Sequence, residues 1–344
     1  MDRVAVVILN WNGRHLMERF LPSVIQFSKD ASVVVADNAS SDDSVEWLGK
    51  RYPQIRVIRH SKNLGFTEGY NQALKEVNAK HYVLLNSDVE VTEGWLDHML
   101  AKMEEDSTIA ACQPKLLKEA ERTQFEYAGA GGGYIDRYGF PFCRGRIFQS
   151  IERDHGQFDD QVEVFWASGA CMMIRSELFH QSGGFDASFF AHMEEIDLCW
   201  RLKRMGYTIW YVGTSTVYHV GGATLQTNSP RKTYLNFRNN LSMMFKNLPA
   251  RGLFRSMFIK MVLDGIASVK FFAEGHVRSA WAVFRAHVYF YSHLSTLKRN
   301  RREVREISEK EEVSAIYNGS VVVAHYGKRK HRFKDLDQDR MTAS

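Results

Sequence analysis

Six consecutive apolar residues, 4–9, stand near the start of the chain and stop at Asn10-Trp11-Asn12-Gly13. An unbroken apolar run of this kind predicts a strand covered on both faces. Leu16, Phe20, Val24 and Phe27 then recur at intervals of four and three, the stripe of an amphipathic helix. The alternation repeats with a strand at 32–36, a polar loop at 37–43, a short helix at 45–50 and a strand at 55–58. A loop at 62–69, a helix at 70–77 and a strand at 82–85 complete the series. Strands alternating with helices predict an α/β fold whose central sheet is mostly parallel, with right-handed crossovers.

Polar residues gather where these strands end. Asn10 and Asn12 follow the first strand, Asp37 and Asn38 the second, Asn63 and Gly65 the third, Asn86 and Asp88 the fourth. Singly, each is ordinary cap or turn chemistry. Together they line the carboxyl edge of an open α/β sheet, where ligands bind. Asp88 is a hard oxygen ligand that can hold a divalent cation, and such a cation can hold a diphosphate. Asp37 also stands where a dinucleotide fold grips a ribose. That fold needs a Gly-rich turn after its first strand, and Asn10-Trp11-Asn12-Gly13 offers one Gly and a bulky Trp. No GxxxxGK[ST] occurs either, so the phosphates are expected to be neutralised by a metal at Asp88.

Further along, Trp166 to Gly169 lead into an apolar stretch ending at Ile174. Trp166 offers a flat face to a ligand and Gly169 allows its close approach; the alternative is a buried Trp against a Gly-containing strand start. Gly183-Gly184-Phe185-Asp186 predicts a tight turn ahead of Glu194-Glu195-Ile196-Asp197. Acidic residues favour a helix start, but a carboxylate here could also deprotonate an attacking hydroxyl. His219 follows a long apolar stretch and reads either as a structural His or as a metal ligand.

Jointly these segments carry a resemblance. Residues 7–12, Ala36-Asp37-Asn38, Asn63-Leu64-Gly65-Phe66 with Gly69 and Asn71, Asn86-Ser87-Asp88, Gly183 to Asp186, Glu194 to Arg201 and Val217-Tyr218-His219 resemble family 2 glycosyltransferases, nearest the bacterial rhamnosyltransferase-like subgroup. The resemblance covers about residues 3–245. It implies a GT-A fold, a nucleotide-diphosphate sugar donor, inversion at the anomeric carbon and Mn²⁺ or Mg²⁺ as cofactor. Asp37 would contact the nucleobase, with Asn10, Asn12, Asn63, Gly65, Asn71 and Asn86 around the nucleotide sugar. Asp88 and His219 would hold the metal, with Asn86 replacing the first Asp of a DxD motif. Glu195, or its neighbour Glu194, would be the base, with Trp166 and Gly169 against the acceptor sugar.

The C-terminal third departs from that core. Arg231 to Asn247, centred on Arg238-Asn239-Asn240, could close over donor phosphates. Beyond Pro249, Phe254, Phe258, Met261, Val269 and Phe272 suggest one amphipathic helix, and Val277, Trp281, Phe284, Val288 and Tyr291 a second. Basic residues, Lys260 among them, accompany both. Such helices either lie in a membrane interface or pack on the catalytic domain or a second subunit as a homodimer. The expected organisation is a catalytic domain over 1–248 (donor half 1–115, acceptor half 116–248), a helical extension over 249–297 and a charged, mobile tail over 298–344.

At 344 residues and a net charge of +5, the chain has the composition of a globular protein. Four scattered cysteines form no ligand cluster and suit a reducing compartment. No apolar window is long enough to span a membrane, and residues 1–9 do not read as a signal peptide. The expected location is cytoplasmic, with peripheral contact at the inner face of the plasma membrane. No recognition module for nucleic acid accompanies the basic residues. The function expected is transfer of a sugar, with rhamnose suggested by the subgroup, to a glycan or lipid-linked acceptor for surface polysaccharide. The alternative is a catalytically silent sugar-nucleotide-binding or scaffold protein.

Overall fold

The structure, a computed structural model, describes residues 1–221 and 229–342. Gly222, beyond the candidate ligand His219, and the last two residues of the expected tail lie outside the described residues. Strand and helix alternate from the start: β1 (Asp2–Asn10), α1 (Arg14–Phe27), β2 (Ser32–Asp37), α2 (Ser44–Arg51), β3 (Arg56–Arg59), α3 (Gly65–Leu74) and β4 (Ala79–Asn86). Then come β5 (Val89–Val91), α4 (Trp95–Glu105) and β6 (Ile109–Lys118). Four short strands, β7 (Gly133–Asp136), β8 (Pro141–Cys143), β9 (Arg146–Ile147) and β10 (Ser150–Ile151), precede β11 (Gln161–Val164) and β12 (Cys171–Arg175). The remainder is α5 (Ser176–Gln181), α6 (Glu194–Arg204), β13 (Thr208–His219), α7 (Pro230–Asn247), α8 (Leu253–Ala273), α9 (Val277–Ser292), α10 (Leu294–Glu306) and β14 (Ile316–Tyr317).

The main sheet runs β11-β13-β6-β12-β4-β1-β2-β3, with β5 added on β13. The donor half, β4-β1-β2-β3, is parallel throughout. Strand β12 enters antiparallel between β4 and β6, which makes the whole sheet mixed. Both faces are covered, as the continuous apolar run of β1 requires. Val4, Val6 and Ile8 point to α1 and α4, where Met17, Leu21, Trp95 and Met99 are buried. Ala5 and Val7 point the other way, toward Tyr70 and Leu74 of α3. Helix α3 begins five residues ahead of the expected Tyr70, because Asn63 Oδ1 accepts from the Gly65 N–H (2.9 Å) and starts the first turn.

A second sheet, β10-β9-β8-β7-β14, has no counterpart in the sequence reading. Its last strand comes from the tail. Where the charge pattern predicts a mobile tail, the chain instead folds back: β14 pairs with β7, and Tyr317, Val321, Phe333 and Leu336 are buried. Spaced apolar residues among many charges hide this packing, because no helical or strand period links them.

The helical extension matches the expected stripes. Phe254, Phe258, Ile266 and Phe272 of α8 stand exposed, Phe254 to 90%. Val277, Trp281, Phe284, Val288 and Tyr291 of α9 do the same. Lys260 differs: it is buried and paired with Asp264 at 2.5 Å, so it is no part of a basic flank. Among the described residues no helix is long and apolar enough to cross a membrane.

Phe333 lies 5.2 Å from the Tyr134 ring, 6.3 Å from Phe142 and 6.1 Å from Phe158. Phe333→Ala is expected to destabilise the protein by about 3 kcal/mol in urea melts. An unchanged midpoint would mean that the tail contributes nothing to the core.

Candidate active site

Parallel pairing sets Asn10 beside Asp37. Asn10 is fully buried, and its Nδ2 donates to Asp37 Oδ1 and to Ser40 Oγ, both at 3.1 Å. The Ser40 N–H donates to Asp37 Oδ2 at 3.1 Å. These bonds fix the Asp37 carboxylate at the strand end. Asn12 takes φ +52 and accepts on Oδ1 from the Ser41 N–H (2.7 Å), shaping the loop after β2. Asn63 accepts from Asn38 Nδ2 (3.1 Å), and Asn38 accepts from the Leu64 N–H (2.9 Å). Thus Asn12 and Asn63 build the walls of the edge. Asn71 departs from expectation: its Oδ1 accepts from the Phe185 N–H and its Nδ2 donates to the Phe185 carbonyl (2.9 and 2.8 Å). An amide closed at both ends clamps the 183–186 turn and is not available to a nucleotide sugar.

Asn86 ends β4, and Asp88 lies on the turn into β5. Antiparallel pairing of β13 with β5 sets His219 against Val89. His219 Nε2 lies 3.1 Å from Asp88 Oδ1 and 3.4 Å from Asn86 Nδ2. Its Nδ1 lies 3.5 Å from Glu126 Oε2. Burial by itself would lower the His219 pKa, but the hydrogen bonds and charges of Asp88 and Glu126 raise it to about 10. Burial likewise pushes Asp88 and Glu126 up, yet the His219 hydrogen bond and charge hold each below its ordinary value. Glu126 is absent from the sequence reading. It lies in a loop after β6, and nothing in its local pattern connects it with a His 93 positions later (219 − 126).

These donors fit a divalent cation in part. Carboxylate oxygen suits Mn²⁺ or Mg²⁺, and a neutral imidazole matches Mn²⁺ better than Mg²⁺. His219 would ligate only on giving up the proton that Asp88 and Glu126 hold on it, with Glu126 behind Nδ1 then orienting the ring. No cluster of three or more His, Cys, Asp or Glu suited to a metal occurs among the described residues. Remaining positions would therefore fall to water and to the oxygens of a bound diphosphate.

Helix α6 opens with three acidic residues that differ sharply in environment. Asp197 is fully engaged: Asn247 Nδ2 (2.8 Å), Arg201 Nε (3.0 Å) and Lys246 Nζ (2.9 Å) all donate to it. Glu194 and Glu195 each keep a buried Oε2 without a hydrogen-bond partner. Burial, joined at Glu194 by the charge of Glu195, raises the Glu194 pKa well above its ordinary value. Burial pushes Glu195 up to about 7. A helix-start preference alone leaves no reason for two unpartnered carboxylates, so they are available for proton chemistry.

Gly169 abuts this pair, since a Cβ there would lie 3.3 Å from the Phe66 ring and 3.8 Å from Glu195 Cβ. The Asn86 N–H donates to the Ala170 carbonyl (3.0 Å), so the β4 edge and the Gly169 segment touch. Trp166 does not join them. It is only 3% exposed, its ring covers Gly133, and its indole N–H donates to the Tyr134 carbonyl (2.9 Å). The flat face expected for an acceptor sugar is therefore core.

The loop before α6 is held from α7. Arg238 donates to the Ser188 and Phe189 carbonyls (2.7 and 2.9 Å). Asn239 Nδ2 lies 2.7–3.0 Å from the carbonyls of Phe189, Ala191 and His192. Asn240 donates to the Gly139 carbonyl (2.7 Å). This trio braces the loop and the small sheet; it does not close over the donor edge as the sequence suggested. Phe190, at φ +65, covers Gly65, and its carbonyl accepts from the Phe66 N–H (2.9 Å).

The parallel donor half, the mixed remainder of the sheet and the acidic groups on its carboxyl edge make up a GT-A fold. Residues 5–183, over half of the chain, match the profile of glycosyl transferase family 2, and the chain belongs to that family. It is a glycosyl transfer enzyme, similar to rhamnosyltransferases of the family. An N-acetylglucosaminyl-diphospho-decaprenol L-rhamnosyltransferase of Mycobacterium tuberculosis is 27% identical over 235 residues, covering 63% of this chain and 76% of that protein. The low-salt glycan biosynthesis hexosyltransferase Agl10 of Haloferax volcanii is 25% identical over 248 residues, covering 70% and 74%. Among solved structures, GalNAc-T7 with UDP, GalNAc and Mn²⁺ shares the fold at a TM-score of 0.61 and 15% identity, covering 89% of this chain and 55% of that one. The mannosyltransferase PcManGT of Pyrobaculum calidifontis with GDP-Man and Mn²⁺ does so at 0.52 and 13%, covering 88% and 86%.

Gly65 takes φ +76, and a Cβ there would lie 2.6 Å from the Phe190 ring. Gly65→Ala is expected to cost about 1–2 kcal/mol from the left-handed backbone alone, and to lower turnover by displacing Phe190. Thermal unfolding and product formation measure the two effects; wild-type behaviour in both would remove Gly65 from the site.

Proposed function

We propose that the chain is an inverting, metal-dependent glycosyltransferase that moves a sugar, with rhamnose the leading candidate, from a nucleotide-diphosphate donor to a lipid-linked glycan acceptor. One observation carries this reading: the edge contains two sets of carboxylates whose environments push their pKa values in opposite directions. Separation of that kind marks distinct roles in one site. Asp88, kept ionised by His219, is the metal-side group. Glu195, kept near neutrality by burial, is the base.

Asp37, aimed by Asn10, takes the nucleobase side of the donor. Glu195 Oε2 accepts the proton of the acceptor hydroxyl as its oxygen forms a bond to the anomeric carbon from the face opposite the diphosphate. The bond between that carbon and the diphosphate oxygen breaks, and the nucleoside diphosphate leaves with the electron pair. A divalent cation held by Asp88 and His219 would neutralise the charge developing on that leaving group. Burial raises the proton affinity of both glutamates, the Glu195 charge adding to it at Glu194, and Gly169 leaves room for the acceptor beside Glu195. The exposed apolar faces of α8 and α9, flanked by exposed Arg251, Arg255 and Arg278, support peripheral contact with the cytoplasmic face of a membrane carrying the acceptor.

Glu195→Gln is expected to keep nucleotide-sugar binding and to lower transfer by about 10²–10⁴. Because the base must be ionised, wild-type kcat should fall as pH drops through about 7. The variant's residual rate should lack that acid limb. A Glu194→Gln variant with the larger loss would exchange the two roles.

Asp88→Asn is expected to abolish Mn²⁺ binding by calorimetry together with metal-supported turnover. Glu126→Gln, which leaves both ligands in place, should weaken Mn²⁺ by about 10–100-fold. Equal Mn²⁺ affinity in wild type and Asp88→Asn would overturn the metal assignment.

A further inference from the structure

Between α7 and α9 lies an open groove of ≈ 780 Å³. Four arginines line it: Arg231, Arg238, Arg278 and Arg285. Among the described residues none of them forms an ion pair with a carboxylate. Aromatic rings support three of the guanidinium groups. Arg231 stands 5.1 Å from the Phe190 ring, Arg285 5.0 Å from Tyr234, and Arg238 5.1 Å from Tyr289. Arg238 is already committed to the Ser188 and Phe189 carbonyls, so Arg231, Arg278 and Arg285 carry the like charges whose repulsion a bound anion would relieve. Guanidinium forks suit the paired oxygens of a phosphate or diphosphate.

Two walls of the groove have a second allegiance. Phe190 also covers Gly65 and belongs to the loop that leads into Glu194. Trp281 also belongs to the exposed apolar stripe of α9, stacked on Phe284 at 4.9 Å. The groove therefore meets the catalytic loop at one wall and an apolar face at the other. None of the donor-edge residues Asp37, Asn86, Asp88 or His219 lines it.

We infer that this groove seats the diphosphate of the lipid-borne acceptor, with the lipid chain lying along the apolar face of α8 and α9. The inference rests on the reading of the chain as a transferase with a lipid-linked acceptor, and adds where that acceptor is anchored. Arg278 and Arg285 grip the diphosphate from α9. Arg231 closes from α7, while Arg238 sits at the loop that connects the anchor to the base. The sugar carried beyond the diphosphate then passes Phe190 toward Glu195.

The test is flotation of the full-length protein with phosphatidylcholine vesicles carrying a polyprenyl diphosphate. Vesicles carrying phosphatidylglycerol at matched surface charge serve as comparison. Wild type should bind the diphosphate vesicles more tightly, and Arg278→Gln/Arg285→Gln should lose about tenfold or more on them, as loss of charge-assisted hydrogen bonds implies. Both residues are exposed on α9, so the double variant should keep its thermal midpoint. Equal binding to both vesicle types, or diphosphate binding unmoved by the double variant, would overturn the groove assignment. Nucleotide-sugar binding by thermal shift is measured in parallel. A preserved donor response alongside arginine-insensitive lipid binding would overturn the groove alone. Arginine-dependent binding of the diphosphate lipid without any donor response would retain the groove and overturn the reading of the donor edge.

Discussion

Strand β12 is the joint on which the site depends. It runs antiparallel between β4 and β6, so one set of backbone hydrogen bonds welds the parallel donor half to the acceptor half. Cys171, Met172, Met173 and Ile174 are fully buried in that joint. Because β12 starts where β4 ends, the segment from Ser168 to Ala170 is forced against Asn86. From the same placement follows the approach of Gly169 to Glu195. A parallel strand at this position would have delivered its opposite end to the edge and left Gly169 and Glu195 remote from Asn86.

The donor half was legible because its physics is local. Continuous apolar strands, helical stripes and polar strand ends each leave a short-range period, and both the order of elements and the edge that collects Asn10, Asp37 and Asp88 follow from it. What the sequence concealed is long-range. Glu126 meets His219 only because β6 and β13 pair in parallel, and no short window shows that. Trp166 and Asn71 misled for a related reason. An aromatic ring and an amide have the same letters whether they meet a ligand or their own backbone, and only Gly133 and Phe185 reveal which. In the tail, charge density suggested solvation, while scattered apolar residues supplied the packing.

The same contrast separates the acidic residues of α6. Asp197, Glu194 and Glu195 are indistinguishable as a helix-start pattern. Lys246 and Asn247, some 50 residues later, select Asp197 for structure, and the absence of comparable partners leaves the glutamates chemically open. Helix α7 thus separates the bonded carboxylate from the two left without partners.

Finally, the loop from Phe190 to Met193 has an unusual backbone. Phe190, His192 and Met193 take φ of +65, +71 and +70, conformations that cost side-chain-bearing residues of order 1–3 kcal/mol each. One amide, that of Asn239, lies within reach of three carbonyls along this stretch and offsets much of that expense. The path of the loop is therefore separable from the identity of its side chains. Because these bonds end on backbone carbonyls, exchanging the ring that covers Gly65 removes none of them. Asn239 does not act alone: Arg238 holds the Ser188 and Phe189 carbonyls, and the Phe66 N–H holds that of Phe190. The latch thus grips the backbone and leaves the side chains of the loop outside it.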